Sequence, residues 1–172
     1  MMIRGAGLAD LPGILRIYNE VVATSTAIYA IEPSTLAERA AWLDARQAAG
    51  FPVIVCVEGA DVLGYASFGD WRGAWAGYRH TVEHSVHVRA DRRGAGLGQA
   101  LVEALLPLAL ALDKHVMIGA IDAANAGSLR FHERLGFVEA GHFKEVGRKF
   151  GRWLDLVFMQ RFLDPPGSAP RA

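Results

Sequence analysis

Apolar positions along the chain change period several times, and each change marks an element. Met2-Ile3-Arg4 opens as a short strand. Leu11, Ile14, Leu15, Tyr18 and Val22 then recur at helical spacing behind Asp10, a residue able to cap a helix. The stretch 24–33 reads as a loop with an exposed Ile28-Tyr29 pair. Thr35 and Glu38 form a capping-box pattern for a second helix running to about Ala49 and closed by Gly50. Pro52 to Glu58 and Val62 to Phe68 read as a hairpin across Gly59-Ala60-Asp61. A long aromatic loop, 71–80, leads to a strand over Thr81 to Val88. Leu97, Leu101, Leu105, Leu108 and Leu112 keep a helical stripe, with Pro107 expected to kink its last turns. A strand over Val116 to Ile121, a helix over Ser128 to Leu135, and strands over Phe137 to His142 and Trp153 to Leu163 complete the series. The order β-α-α-β-β-β-α-β-α-β-β predicts an α/β (α+β) fold, a mixed sheet with helices on both faces.

Composition narrows the classes without choosing among them. At 172 residues the chain is expected to form one domain over 1–163, followed by a loose tail rich in Pro, Gly and Ser over 164–172. Lys plus Arg equals Asp plus Glu, 18 each, so bulk charge steers nothing toward nucleic acid. Cys56, the single cysteine, rules out an internal disulfide and sits in an apolar run as a small hydrophobe. No apolar run is long enough to span a bilayer and the start lacks a signal-peptide pattern, so a cytoplasmic protein without a membrane partner is expected. Six histidines raise the question of a metal. His80 and His84 share a strand face, His87 lies opposite, and no Cys pair or carboxylate-His motif accompanies them, so no metal is expected.

Candidate chemistry begins at Arg92-Arg93-Gly94-Ala95-Gly96-Leu97-Gly98, between the central strand and the leucine-striped helix. Glycines let backbone N–H groups point the same way, and a helix start adds unpaired donors and a positive dipole end. That combination is an anion site. A Walker loop would need Gly-Lys-Ser/Thr at its end, which is absent. A dinucleotide fingerprint would need glycine at position 99 or 101, where Gln99 and Leu101 stand. Arg93-Gly94-Ala95-Gly96-Leu97-Gly98 does satisfy Arg/Gln-x-x-Gly-x-Gly.

That loop resembles the acetyl-CoA diphosphate loop of the GNAT superfamily of N-acetyltransferases. Asn125-Ala126-Gly127-Ser128, followed by Leu129 to Phe137 with its Leu135-Gly136-Phe137 ending, resembles the superfamily's second signature. Gly64 to Arg72, Thr81 to Val86 and Lys149 to Leu156 resemble its phosphinothricin and methionine sulfoximine/sulfone acetyltransferase branch, and the likeness runs from Ile3 to Leu163. The resemblance implies the GNAT fold with a splayed central strand, acetyl-CoA as cosubstrate, a small amine as substrate and a homodimer. It places the cofactor at Val86, His87, Val88, Arg93, Gly94, Ala95, Gly96, Leu97, Gly98, Gln99, Asn125 and Arg134, with the Val88 N–H polarising the thioester carbonyl.

Glu83 is the expected general base, with a structural Glu paired to Arg72 or Arg79 as the alternative. His84 points to the opposite strand face. His132 stands where many relatives carry Tyr as an acid; a proton donor and a helix histidine bonded to backbone both remain open. The substrate pocket is expected to draw on Arg72, Ala76, Gly77, Tyr78, Arg79, Thr81 and Glu83, closed by Tyr29 and Lys149. Arg suits a substrate carboxylate through its planar fork. Trp71, Trp75 and Tyr78 would cover a methylene chain or simply pack the loop. The leading function is N-acetylation of the α-amine of methionine sulfoximine, methionine sulfone or phosphinothricin. Acetylation of peptide N-termini or another amine, and a non-catalytic CoA sensor, are the alternatives.

Overall fold

The structure, a computed structural model, describes residues 1–165 and 167–168; positions 166 and 169–172 of the expected tail lie outside the described residues. The chain divides into two compact units interleaved along the sequence: Met1–Phe68 with Ser85–Leu105, and Gly69–His84 with the chain from Leu106 onward. Hydrogen-bonded strand neighbours follow the order β1-β2-β3-β4-β5-β7-β6, with both parallel and antiparallel pairs.

The first unit holds β1 (Met2–Gly5), α1 (Leu11–Thr24), α2 (Leu36–Ala48), β2 (Val53–Glu58) and most of β3 (Asp61–Asp70). β1 runs antiparallel to β2, and β2 to β3. The core is Ile14 and Ile17 of α1 against Val55, Val57, Val62 and Tyr65, with a second cluster of Leu11, Leu43 and Val53. Each such side chain stabilises the fold by about 1.5–3 kcal/mol. The buried face of α1 is Leu11, Ile14, Ile17, Val21 and Val22; Leu15 and Tyr18, expected on it, are half-buried. Tyr18 serves instead as a platform for the Arg39 guanidinium, 4.2 Å from its ring centroid. Asp10 makes no side-chain cap on α1. Its carboxylate accepts from the Gly7 N–H at 2.8 Å and pairs with Arg4 at 2.7 Å, and these bonds, the Arg4 one foremost, hold its pKa below the usual range. The α2 capping box forms as expected: Glu38 N–H donates to Thr35 Oγ1 and Thr35 N–H to Glu38 Oε2. Ile28 and Tyr29 are half-buried rather than exposed.

β4 (Thr81–Val88) passes from the second unit into the first. In the second unit it runs parallel to β5 (Val116–Asp122), in register from Thr81↔Val116 to Glu83↔Ile118. β7 (Arg152–Phe162) pairs antiparallel with β5, and β6 (Val138–Lys149) with β7. α4 (Ala126–Arg134) follows β5. α3 (Leu97–Ala111) runs through Pro107; Leu97, Leu101 and Leu105 are buried, but the stripe then moves to Ala109 and leaves Leu108 and Leu112 exposed. At about 100° per residue the five leucines share one helical face, so the period does not account for the exposure of Leu108 and Leu112.

β6 extends seven residues past the expected end at His142. Its alternation is masked by a register shift between Phe143 and Gly147, where Glu145 takes φ +54°. Asp155 on β7 holds this irregularity: its carboxylate accepts from the Glu145 N–H and the Lys144 ammonium, each at 2.9 Å. Those bonds, the backbone one foremost, pull the Asp155 pKa down to about 2.

Candidate active site

In the first unit, β4 gives way to a 3-10 turn over Ala90–Arg92 and then to residues 93–96, directly before α3. Gly94 and Gly96 both stand at φ +79°, a conformation an L side chain adopts only with strain. A Cβ added at either would meet nothing within 4 Å, so the space over the loop is open. The first internal bond of α3 runs from the Ala100 N–H to the Gly96 carbonyl, at 3.0 Å. Among the described residues, the backbone amides of 94–99 donate to no protein acceptor. Six unsatisfied donors at a helix start are the donor set a diphosphate requires. Leu97, buried at the first turn, anchors this end of the helix.

Arg93 is exposed and its Nε donates to the Val88 carbonyl at 3.1 Å. The Gln99 side chain is taken up by Glu103 at 2.8 Å, so Gln99 offers its backbone amide. Val86, His87 and Val88 are half-buried. The His87 ring lies 5.3 Å from that of Tyr65, and burial, aided by the Arg93 charge, lowers its pKa to about 4. Gly64 on β3 permits this packing: a Cβ there would lie 3.0 Å from the His87 carbonyl oxygen and 3.1 Å from Leu101.

In the second unit, Glu83 closes the β4–β5 register opposite Ile118 and is half-buried. Arg72 and Arg79, the arginines considered for it, are both exposed. His84 is buried on the other strand face, its ring 5.2 Å from those of His132 and Phe137. Gly119 makes room for the pair, since a Cβ there would sit 3.1 Å from both Nε2 atoms. His132 is buried, and its Nδ1 donates to the Ser128 carbonyl at 2.7 Å. Burial depresses its pKa. A neutral ring with Nδ1–H committed to backbone presents only a lone pair at Nε2, which favours the helix-histidine reading.

The aromatic loop is organised around Arg72, at φ +53°. Its guanidinium lies 5.7, 5.3 and 5.5 Å from the ring centroids of Trp71, Trp75 and Tyr78. It has no hydrogen-bond partner among the described residues, leaving its planar fork for a ligand. A strained non-glycine residue held this way is a mark of functional sites. The aromatics, expected either to cover a substrate methylene chain or to pack the loop, surround the arginine. Ala76–Tyr78 is a 3-10 turn, and the Trp71 N–H bonds to the Thr81 carbonyl at 3.3 Å across the loop's base. Arg79 is exposed, and its carbonyl accepts from the Lys114 ammonium. Asn125 caps α4, its Oδ1 accepting from the Ser128 N–H at 3.0 Å. Arg134 is exposed. Lys149 is buried beside Phe150, and burial lowers its pKa. Tyr29, in the first unit, is half-buried.

A glycine loop of free amides at a helix start, an acid at the end of a parallel register and a mixed sheet together define an acyl-CoA-dependent transferase. Residues 14–137 match the Acetyltransferase (GNAT) family, and the chain belongs to that family. It is 56% identical over 169 residues to the L-methionine sulfoximine/L-methionine sulfone acetyltransferase of Pseudomonas paraeruginosa, covering 98% of each chain. It is 49% identical to the L-amino acid N-acyltransferase MnaT of Escherichia coli, over 95% of each chain. A GNAT superfamily phosphinothricin acetyltransferase from Sinorhizobium meliloti, solved in complex with AcCoA, superimposes with a TM-score of 0.93 at 37% identity, covering 99% of this chain and 92% of that one.

Proposed function

We propose that this protein acetylates the α-amine of small amino-acid analogues bearing a tetrahedral sulfur or phosphorus centre: methionine sulfoximine, methionine sulfone or phosphinothricin. The observation that carries the reading is the set of six free amides over 94–99. They hold the diphosphate of acetyl-CoA, with Arg93, Asn125 and Arg134 as further contacts. Acetyl-CoA supplies a thioester carbonyl open to attack by an amine. Val86, His87 and Val88, beyond the last β4–β5 pair at Glu83, offer backbone to the extended pantetheine arm as an added strand would. The Val88 N–H serves as donor to the carbonyl oxygen as negative charge develops there; one such donor contributes about 2.7–4 kcal/mol in other enzymes.

Glu83 takes the proton from the substrate ammonium, directly or through a water, so that a neutral amine attacks. As the tetrahedral adduct collapses, the attacking nitrogen gives up a second proton and the departing sulfur takes one, so CoA leaves as its thiol and Glu83 returns its proton to solvent. Arg72 receives the substrate carboxylate on its fork, and Ala76, Gly77, Tyr78, Arg79 and Thr81 line the binding loop, with Tyr29 and Lys149 closing it. The protein works in the cytoplasm as a homodimer. Phe143, Val146, Phe150 and Trp153, exposed on the β6–β7 hairpin, support the dimer, and a sedimentation mass of one protomer would remove it.

Thiol release from acetyl-CoA, measured with methionine sulfone, methionine sulfoximine, phosphinothricin and a short peptide, tests the reading. Turnover with the free analogues and little with the peptide is expected. Preference for the peptide would shift the assignment to N-terminal acetylation, and CoA binding without turnover on any amine would make the protein a sensor.

A further inference from the structure

A chain of charges on the first unit ties the tip of the β2–β3 hairpin to the turn that feeds the glycine loop. Glu58 and Asp61 are direct cross-strand partners at that tip. Two carboxylates facing each other across strands repel, so the arrangement is unfavourable on its own. Both are met by arginines from the Ala90–Arg92 turn and its cap. Arg92 Nη2 lies 3.1 Å from Glu58 Oε2, and Arg89 Nη1 lies 3.6 Å from Asp61 Oδ2. Asp91 joins the two, 2.6 Å from Arg89 Nε and 3.9 Å from Arg92 Nε. Arg16 adds a contact to Asp61 at 3.9 Å. The Arg89 N–H also bonds to the Leu63 carbonyl at 2.9 Å, and its side chain is only 18% exposed. Of the four arginines Arg16, Arg89, Arg92 and Arg93, only Arg93 touches no carboxylate among the described residues.

We infer that Glu58 and Asp61 are positioning residues for the diphosphate loop: by fixing Arg92 and Arg89 they hold the preceding turn, so the amides of 94–99 are ordered before a ligand arrives and Arg93 is left for phosphate. The inference rests on the acetyl-CoA reading for its consequence in binding, but not for the ordering itself. Lone surface pairs contribute little, whereas a connected network with one half-buried member, Arg89, holds a segment. Preordering acts on affinity, because less freedom is lost when the ligand binds.

The test is the full chain carrying Glu58→Gln and Asp61→Asn, which keep shape and remove charge. Tryptic cleavage after Arg89, Arg92 or Arg93 in the free protein should quicken several-fold. The KM for acetyl-CoA at low salt should rise about 3–10-fold with kcat unchanged, the range two weak ion pairs can supply. The wild-type KM should approach that of the variant in about 1 M salt, where the screening length falls to about 3 Å. Exchanging the charges of one pair, Glu58→Arg with Arg92→Glu, should keep the KM and the cleavage after Arg89 and Arg93 near wild type. Unchanged cleavage and KM would overturn the inference, as would a fall in kcat that tracks a lowered Tm. Faster cleavage in a protein that shows no acetyl-CoA dependence would uphold the positioning and strike the cofactor reading instead.

Discussion

Glu83 and His132 both entered as titratable candidates for proton transfer, and their surroundings separate them. Glu83 is half-buried at the end of the β4–β5 register. His132 is buried with its Nδ1–H given to Ser128. Glu83→Gln should therefore lower turnover about 10²–10⁴-fold, the usual contribution of a general base, while CoA still raises the Tm. His132→Gln should leave kcat within about tenfold, well short of the loss expected for an acid–base group, and a pH–rate profile should keep its acidic limb. The family resemblance marked Glu83 as the candidate base, and strand alternation set it on the face opposite His84. They left His132 open, because a proton donor and a backbone-bonded ring share the same helical spacing. The gathering of three rings around the Arg72 guanidinium was not legible, since local periodicity gives no sign of the positive φ at Arg72.

At the scale of elements, the loop before α3 and the cap of α4 make separable predictions. Gly96→Ala forces a side chain into φ +79°, a strain of about 1–2 kcal/mol that falls on the amide cradle. Acetyl-CoA affinity should drop roughly 5–30-fold, read by calorimetric titration, with the KM for the amine unchanged. Asn125→Ala removes a side-chain cap contributing about 1 kcal/mol, and the Tm should fall by about 2–4 °C for a chain of this size. Element positions were read well wherever period and capping chemistry agree, as in α2 with its Thr35–Glu38 box and in β4. They were read poorly where a distant carboxylate decides the backbone. β6 continues past His142 because Asp155, far along the chain, binds the amide and ammonium of its irregular stretch. Local periodicity carries no trace of that partner. Leu108 and Leu112 share the helical face of Leu97, Leu101 and Leu105, so local periodicity carries no sign of their exposure either.

For the whole molecule, the acid side of the stability curve follows from three groups. His87 and His132 are held neutral by burial, His87 with a pKa of about 4 against 6.5 when unfolded. The unfolded chain therefore binds more protons than the folded one between those values. Stability is full above about pH 6.5 and declines as the pH falls toward 4. Asp155, depressed to about 2, adds a second decline below the ordinary carboxylate range near 3.8. The Tm should thus fall steadily from pH 7 to pH 4, and less steeply in His87→Phe; a flat profile would contradict the burial of both rings. The balanced charge, 18 basic against 18 acidic residues, already pointed away from nucleic acid, but nothing in composition named a ligand. Only the amides of 94–99, which belong to the backbone and leave no side-chain signature beyond their glycines, give the family resemblance a physical basis. Their response to CoA is the most direct test of the account. In ¹H–¹⁵N spectra, the amide signals of residues 94–99 should shift downfield together and saturably as CoA is added, with Gly94, Gly96 and Gly98 among them. If CoA binds and those six signals stay in place while others move, the diphosphate is held elsewhere and the proposed site is wrong.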